Sequence, residues 1–339
     1  MNKLLTIVVP VYKVEPYINK CLDSCLIFKT NEQGEKVIDR ELMNQLEVII
    51  VNDGTPDQSA EMSREYVKRY PQTFRQIDKE NGGHGSAWNV GLKEATGKYL
   101  RFLDSDDWLT NLDRLMEKLA LSDADLVFTH MQRYYADRNC FSEDKIHDEY
   151  GVVKPLGTFD FLNNGQPNVF DFWYVTYKKN VLEFDYDVFS EKTMYDDAVL
   201  FVLPAIKAKT YICLDFILYS YFIGRAEQSM SQEKKPKNLV ARYNQCIYMD
   251  QFWIKHRPDV LDKSIEEGVL KIISNSAWSI FNDALQLPYK TVKPMLQKMG
   301  HIFKYREVPS KIYQRFVNMP FFVFYYTEKY RNRLNRQQR

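Results

Sequence analysis

Three carboxylates stand within four residues at Asp104-Ser105-Asp106-Asp107. Negative charges this close together repel one another unless a positive group lies beside them. Oxygen ligands suit Mg²⁺ and Mn²⁺, and these ions commonly share one or two carboxylates with the oxygens of a phosphate group. The cluster therefore indicates a divalent cation that bridges a diphosphate, although an acidic turn that caps the following helix has the same residue pattern.

A second segment, Asn81-Gly82-Gly83-His84-Gly85-Ser86, leads into a predicted helix. Glycines let backbone N–H groups approach a ligand, and the N-terminus of a helix favours anions. A tight turn that needs positive φ angles predicts the same glycines. The segment lacks the Gly-x-Gly-x-x-Gly spacing and the Gly-Lys-Ser/Thr ending of other phosphate-binding loops, which argues against nicotinamide-dependent and kinase-type proteins. His84 could contact a ligand here or face the solvent.

The segments that must position these residues alternate between strands and helices. Apolar, β-rich runs predict strands at residues 4–9, 46–51, 74–77, 99–103 and 125–131. Pro10 is expected to end the first of them. This alternation favours an α/β domain with a largely parallel sheet, in which ligands bind beyond the carboxyl ends of the strands. Asp53, the Asn81 segment and the Asp104 cluster each follow a strand, so we expect them to converge at one edge.

Asp53 itself has two interpretations. A carboxylate at a strand end can accept a hydrogen bond from a base N–H or a ribose hydroxyl, and it can equally belong to an ordinary turn. Elsewhere, the polar residues 29–45 predict a surface loop, and residues 194–208 are expected to be helical. Residues 211–221 predict one or two strands, and beyond residue 238 the pattern is helical throughout.

Composition excludes some classes of protein. The 46 Lys and Arg residues balance 45 Asp and Glu residues, which gives no support for a nucleic-acid partner. Five cysteines without a Cys-x-x-Cys pair argue against a disulfide framework or a zinc site. The first apolar run is too short for a signal peptide, and no run approaches the roughly 20 apolar residues of a membrane span. We therefore expect a cytoplasmic protein.

Four short segments stand in order across roughly residues 4–131. They are Pro10-Val11-Tyr12, Val51-Asn52-Asp53-Gly54-Thr55, Asn81-Gly82-Gly83 with Asn89-Val90-Gly91, and Asp104-Ser105-Asp106-Asp107-Trp108. In order and spacing they resemble the successive signatures of family 2 glycosyltransferases with the GT-A fold. A fainter likeness extends to about residue 231, in Tyr195-Asp196-Asp197, Tyr219-Ser220-Tyr221, Arg225 and Gln228-Ser229-Met230-Ser231.

The resemblance implies a fold and a division of the chain. Residues 1–231 would form a GT-A, Rossmann-like domain that binds a nucleotide sugar and carries the catalytic site, with a mostly parallel central sheet flanked by helices. Residues 232–339 would form a helical C-terminal region. Two departures from the family pattern are an Asp-Asp pair at Asp196 and Asp197 in place of Glu-Asp, and the long segment at 29–45.

The resemblance also implies roles for individual residues. Asp197 would be the general base of an inverting transfer, with Asp196 beside it at the acceptor, and Asp106 would bind Mn²⁺ or Mg²⁺. The residues expected at the donor are Pro10, Tyr12, Asp53, Asn81, Gly83, Asn89, Asp104, Arg225, Ser229 and Ser231. The donor implied is a UDP-sugar, and the acceptor a hydroxyl of a growing surface glycan or lipid-linked saccharide.

The C-terminal region offers one further clue. Aromatic residues at 319–326 stand beside a basic run at 329–339. This combination suits an anionic membrane surface and predicts peripheral attachment to the inner face of the plasma membrane. A final helix packed on the core, with a solvated basic tail, is the alternative.

Two other functions remain open from the sequence. A nucleotidyltransferase would share the nucleotide-binding sheet and acidic metal ligands, but it would carry a glycine-rich loop near the start, where Pro10-Val11-Tyr12-Lys13-Val14 has no glycine. A non-catalytic scaffold derived from a transferase would keep the fold. Every acidic position that the transfer mechanism needs is filled, which argues against the scaffold.

Overall fold

The computed structural model describes residues 3–160, 170–224, 238–258 and 262–300, together with Ile302 and Lys329. The chain divides into two compact units, Met1–Gln228 and Ser229–Arg339. The separate functions assigned above to residues 1–231 and 232–339 remain predictions.

The first unit is built on one large sheet with helices between its strands. Its strands are β1 (Leu5–Val11), β2 (Phe28–Thr30), β3 (Lys36–Ile38), β4 (Leu46–Asn52), β5 (Phe74–Asp78), β6 (Tyr99–Phe102), β7 (Trp108–Leu109), β8 (Leu126–Tyr135), β9 (Cys140–Asp144), β10 (Lys154–Pro155), β11 (Val175–Lys178) and β12 (Thr210–Ile223). Its helices are α1 (Ile18–Asp23), α2 (Arg40–Gln45), α3 (Ser59–Arg69), α4 (His84–Glu94), α5 (Leu112–Ala120), α6 (Lys179–Leu182) and α7 (Pro204–Lys207), with 3₁₀ turns at Leu156–Thr158 and Asp196–Phe201.

The sheet runs in the order β10-β12-β8-β11-β6-β1-β4-β5. Strand β1 pairs in parallel with β4 and β6, β4 pairs in parallel with β5, and β12 pairs in parallel with β8. Strand β11 lies antiparallel between β6 and β8 and joins the two parallel parts. Every residue of β1 and β4 is buried, as expected for parallel strands covered on both faces. The predicted α/β fold with a mostly parallel central sheet is confirmed.

Pro10 does not end the first strand, contrary to the prediction. Strand β1 continues through Pro10 to Val11, and Pro10 lies opposite Val51 of β4. On the other side, the pairing with β6 stops at Val8 and Phe102. Proline is tolerated here because the ladder that would have needed a donor on that side has already ended.

Helix α4 packs tightly on strands β1 and β6 of the sheet. A Cβ atom on Gly91 would lie only 2.1 Å from Cγ1 of Val8, so glycine allows the close approach of helix and strand. Trp88 of the same helix is fully buried and stacks on Phe102 of β6, with ring centroids 4.2 Å apart. These contacts fix α4 against β1 and β6.

Two segments differ from the sequence prediction. Residues 29–45 are not a plain surface loop, because they contain most of the β2–β3 hairpin and helix α2, which Asp39 caps by accepting from two backbone N–H groups. Residues 194–208 are not a single helix but a 3₁₀ turn followed by the short helix α7. Pro204 lacks the backbone N–H that a continuous helix would need at that point.

The second unit is helical in its described residues, as predicted. It contains α8 (Leu239–His256), α9 (Lys263–Ala284) and α10 (Tyr289–Lys298). Arg242 of α8 donates hydrogen bonds to Asp283 and Ser279 of α9. Within the described residues of the chain, none of the helices combines the length and apolar character needed to span a bilayer.

Candidate active site

The acidic turn after β6 holds three carboxylates close together. Asp104, Asp106 and Asp107 each place one oxygen within 4.8 Å of the others. Asp107 is buried, and its two oxygens accept hydrogen bonds from the Tyr219 hydroxyl at 2.5 Å and the Phe222 backbone N–H at 2.8 Å. The oxygens of Asp107 are therefore already used by β12, whereas Asp104 and Asp106 are only partly buried.

The electrostatics of this turn suit a cation. Burial, and then the neighbouring carboxylates of Asp106 and Asp104, raise the pKa of Asp107 well above its usual range. Closely spaced hard oxygen donors, two of them on partly exposed carboxylates, match the ligand set of Mg²⁺ or Mn²⁺. The residues present therefore fit a divalent ion, with Asp106 and Asp104 offering the more accessible oxygens.

Asp53, at the end of β4, holds the glycine-rich segment in place. Its Oδ1 accepts hydrogen bonds from the Lys79 ammonium at 2.7 Å and the Gly82 N–H at 2.9 Å, and its Oδ2 accepts from the Gly83 N–H at 2.8 Å. The Asn81 side chain donates to the Asp53 carbonyl at 3.0 Å. Gly83 has a φ of +88°, in the region that favours glycine. In this structure the carboxylate of Asp53 accepts hydrogen bonds from protein groups. Its predicted contact with a nucleobase remains a prediction.

Asn89 likewise has protein partners. Its amide nitrogen donates to the Phe189 carbonyl at 2.8 Å and its amide oxygen accepts from the Phe189 N–H at 3.0 Å. These bonds fix the segment before residue 190 on helix α4.

Of the other predicted donor residues, Pro10 is buried in β1, while the ring of Tyr12 just beyond is exposed at the same edge of the sheet.

His84 connects the two ends of the site. Its Nδ1 lies 2.9 Å from Oδ2 of Asp196, and its Nε2 lies 3.1 Å from Oδ1 of Asp104. Burial lowers the pKa of His84, but the carboxylates of Asp196 and Asp104 outweigh it and hold the pKa well above its usual range. The acidic turn after β6 is thus linked through one imidazole to the Asp196-Asp197 pair, although the two lie far apart in sequence.

Asp197 has the ionisation of a candidate base. Burial, and then the charge of Asp196, raise the pKa of Asp197 to about 7, while the nearby His84 opposes that rise. Asp171 is a further carboxylate close enough to interact, because burial and then Asp197 raise its pKa well above the usual range. Among the described residues, Oδ1 of Asp171 has no hydrogen-bond partner. Three acidic groups therefore meet on this side of His84.

The structure thus brings together most of the residues that the sequence singled out. Asp53, Asn81, Gly83, Asn89, Asp104, Asp106, Asp196 and Asp197 all lie on the glycine-rich segment, the acidic turn or the elements bonded to them. Arg225, Ser229 and Ser231 lie outside the described residues, as do residues 319–326 of the predicted membrane-binding segment. Their roles remain predictions.

Sequence reasoning missed three members of the site. It left His84 between a ligand contact and a solvent-facing residue, and it gave no role to Asp171 or to the hydroxyl of Tyr219. The partners of Tyr219 and one partner of His84 lie more than a hundred residues away, so local spacing carries no signal for them. Asp171 lies between residues 132 and 190, a stretch in which no sequence pattern marked it.

Comparison with known proteins places this arrangement in a family. The sequence profile of Glycosyl transferase family 2 matches residues 6–176. The uncharacterized glycosyltransferase EpsJ of Bacillus subtilis (strain 168) is 33% identical over 227 residues, which are 65% of this chain and 61% of that protein. The teichoic acid poly(glycerol phosphate) polymerase of Staphylococcus epidermidis is 34% identical over 156 residues, 45% of this chain and 20% of the polymerase. The chain spans less than two thirds of either relative.

The fold is also found among solved structures. Residues 1–349 of S. aureus TarS, in complex with UDP-GlcNAc, match with a TM-score of 0.67 and 18% identity, covering 98% of this chain and 92% of that chain. This likeness concerns the fold and agrees with the predicted GT-A architecture. The family match covers about half of the chain, from β1 through β6 and the acidic turn to β11. The chain therefore belongs to glycosyl transferase family 2.

Proposed function

We propose that this chain is an inverting glycosyltransferase. It would transfer a sugar from a UDP-sugar to a hydroxyl of a growing surface glycan or a lipid-linked saccharide, with Asp197 as the general base and a divalent cation at Asp106. The observation that carries the proposal is the hydrogen-bonded path from the acidic turn through His84 to the Asp196-Asp197 pair. This path joins a candidate cation-binding group and a candidate general base in one site.

The cation would be Mn²⁺ or Mg²⁺, held by Asp106 with Asp104 beside it. When bound, it would offset the negative charge of the diphosphate leaving group. Asp107 would support this site indirectly, because its buried carboxylate is hydrogen-bonded to residues of β12. Members of family 2 commonly use such an ion, and the three clustered carboxylates support its presence here.

The ionisation of Asp197 supports the role proposed for it. A base is most effective when its pKa is close to the working pH, and the pKa of Asp197 is raised to about 7. Its carboxylate would accept the proton of the acceptor hydroxyl as that oxygen attacks the anomeric carbon. A single displacement of this kind inverts the anomeric configuration. Asp53 and the glycine-rich segment would shape the nucleoside side of the pocket. The exposed ring of Tyr12 would be available to the nucleobase of the donor.

The choice of substrates is supported by the relatives. TarS has been solved with UDP-GlcNAc and with UDP, which favours a uridine nucleotide as the donor. The similarity to a teichoic acid polymerase favours a surface polymer as the acceptor. Arg225, Ser229 and Ser231 would complete the diphosphate side. We place the protein at the inner face of the plasma membrane, with residues 319–339 as the peripheral contact.

Thermal unfolding with nucleotides tests the donor site. We expect UDP with Mn²⁺ or Mg²⁺ to raise the melting temperature by several degrees, because a ligand that binds only the folded state stabilises it by about 2.7 kcal/mol at 100 times its Kd. Asp106→Ala should remove the metal-dependent part of the shift. Asp113→Ala, an exposed acidic residue on α5, is the matched control and should keep the whole shift. Absence of a shift in melting temperature with every nucleotide and metal would favour the hypothesis of a non-catalytic scaffold.

Release of UDP in the presence of candidate acceptors tests the reaction itself. Transfer should depend on Asp197 and on metal, and ¹H NMR of the product should show an anomeric configuration opposite to that of the donor. A product with retained configuration would exclude the single displacement. Release of pyrophosphate from a nucleoside triphosphate would instead identify a nucleotidyltransferase.

A further inference from the structure

We propose that His84 is a positioning residue that fixes the acceptor-side pair Asp196-Asp197 relative to the donor-side carboxylate Asp104. The inference deepens the proposed function and rests on it. His84 would act through Asp196, without touching the reacting atoms. A displacement of Asp104 on the donor side would then alter the position of the general base Asp197 through the side chain of His84.

The two hydrogen bonds of His84 use both of its ring nitrogens. Nδ1 meets Asp196 at 2.9 Å and Nε2 meets Asp104 at 3.1 Å. The imidazole also packs against the ring of Trp88 with centroids 4.3 Å apart, and Trp88 is itself immobilised by its stack on Phe102. With one face packed and both nitrogens bonded, the ring has one orientation that satisfies all its contacts.

Asp196 is seated for this contact. Its carboxylate is only 3% exposed. A Cβ atom on Gly85 would lie 2.8 Å from Oδ2 of Asp196 and 2.4 Å from the Ser190 carbonyl oxygen, so the missing side chain of Gly85 leaves room for the carboxylate. Asp196 is therefore enclosed by protein, which makes it better suited to hold its neighbour in place than to bind an acceptor directly.

The residue that precedes Asp196 has a strained backbone conformation. Tyr195 has a φ of +64°, a left-handed conformation that a tyrosine adopts only when its surroundings enforce it. The 3₁₀ turn that starts at Asp196 carries Asp197 as its second residue. The bond from His84 to Asp196 is a contact at the start of this turn that can hold Asp197 in its orientation.

Kinetics of His84 variants test the proposal. His84→Gln and His84→Phe should lower kcat by about 10- to 100-fold, since displacing a catalytic group by about 1 Å can cost this much. The KM for the donor and the Kd for UDP should stay within about threefold of the wild type. Gln can replace one of the two bonds and should retain more activity than Phe. A weaker Kd for UDP with kcat unchanged would overturn the proposal and make His84 a donor contact.

A matched control separates positioning from general loosening. Glu94 lies on the same helix, α4, and forms a 3.3 Å ion pair with Arg75 of β5. Glu94→Ala removes a link between that helix and the sheet and should leave kcat near the wild-type value. If Glu94→Ala lowers kcat as much as His84→Gln does, His84 has no special role.

A double variant tests whether His84 acts through Asp196. If it does, His84→Gln combined with Asp196→Asn should be no slower than Asp196→Asn alone. Multiplicative losses would show that the two residues act independently and would overturn the proposal.

An NMR measurement separates this inference from the proposed function. The ¹⁵N imidazole signals of His84, identified by their loss in His84→Gln, should shift in Asp196→Asn and in Asp104→Asn but not in Asp113→Asn. Unchanged signals in Asp196→Asn would show that the bridge does not exist. If the wild type transferred no sugar while the signals reported the bridge, the proposed function would fail and the positioning role with it, but the bridge would stand.

Discussion

The Tyr219 hydroxyl donates a 2.5 Å hydrogen bond to Oδ2 of the buried Asp107 and so joins the middle of β12 to the acidic turn after β6. The same hydroxyl accepts a hydrogen bond from the Asp104 backbone N–H at 3.3 Å. One tyrosine therefore sets the position of two of the three clustered carboxylates. The candidate cation site is held from β12 as much as from the strand that precedes it.

Replacement of Tyr219 by phenylalanine should weaken both stability and metal binding. Tyr219→Phe leaves the buried Asp107 carboxylate with one donor fewer, which costs about 1–3 kcal/mol in the free energy of unfolding. Urea unfolding measures that loss, and titration of Mn²⁺ with UDP measures binding. Tyr134→Phe is the control, because its hydroxyl bonds only an exposed Asn139 side chain among the described residues. Equal losses in the two variants would contradict the role given to Tyr219.

Transfer should rise with pH through about 7. The pKa of Asp197 is raised to about 7, first by burial and then by Asp196, and only the ionised form can accept a proton. The profile of kcat/KM against pH should therefore have an ascending limb near this value. His84→Gln should move the limb to higher pH, because the charge on His84 lowers the pKa of Asp197. A limb that stays below pH 5 would exclude Asp197 as the base.

Asp197→Asn should be inactive but more stable than the wild type at pH 8. The folded-state pKa of about 7 lies above the unfolded value of about 3.9, so the native state binds the proton more tightly and loses stability as the pH rises between these values. Removing the charge should raise the free energy of unfolding by at least about 1 kcal/mol at pH 8 and by little at pH 4. Transfer should fall about 10²- to 10⁴-fold. A variant less stable at pH 8 would contradict the raised pKa.

Gly85→Ala should impair transfer while the fold is kept. The added methyl group would lie 2.4 Å from the Ser190 carbonyl oxygen and 2.8 Å from Asp196, so the segment that carries the acidic pair must move. We expect a loss of kcat of about 100-fold, with a far-UV circular dichroism spectrum like that of the wild type. Gly300→Ala is the control, since its Cβ would meet no atom within 4 Å. Normal kcat in Gly85→Ala would show that this segment adjusts freely.

Asn89→Ala separates a structural role from a donor contact. The change leaves the N–H and carbonyl of Phe189 without their partner, which should cost about 2 kcal/mol or more in the free energy of unfolding. If Asn89 serves only this purpose, the Kd for UDP measured well below the melting temperature should change little. A Kd raised by tenfold or more would support the donor contact that the sequence resemblance implies.

The sequence predicted the frame of the site because its signals are local. Apolar runs located β1, β4, β5, β6 and β8, and the rule that ligands lie beyond strand ends brought Asp53, the glycine-rich segment and the acidic turn together. Residue types alone also suggested a divalent cation. These inferences needed no knowledge of which distant residues meet.

What the sequence could not predict was set by long-range contacts. The carboxylate of Asp53 and the amide of Asn89 could each face a ligand or the protein, and their hydrogen bonds to Gly83 and Phe189 are fixed only in three dimensions. The contact of Asp196, at the start of the 3₁₀ turn, with His84 likewise joins residues 112 apart in the sequence.

The sequence separation of the residues joined by two hydrogen bonds of the site affects when the site can form. His84 and Asp196 are 112 residues apart, and so are Asp107 and Tyr219. A nascent chain that has left the ribosome only as far as β8 carries the glycine-rich segment and the acidic turn without either hydrogen bond. The site therefore forms late, after β12 has been synthesised and inserted beside β8, and contacts between such distant residues form slowly. A product that terminates before Tyr219 would keep the family signatures of residues 4–131 and lack an assembled site.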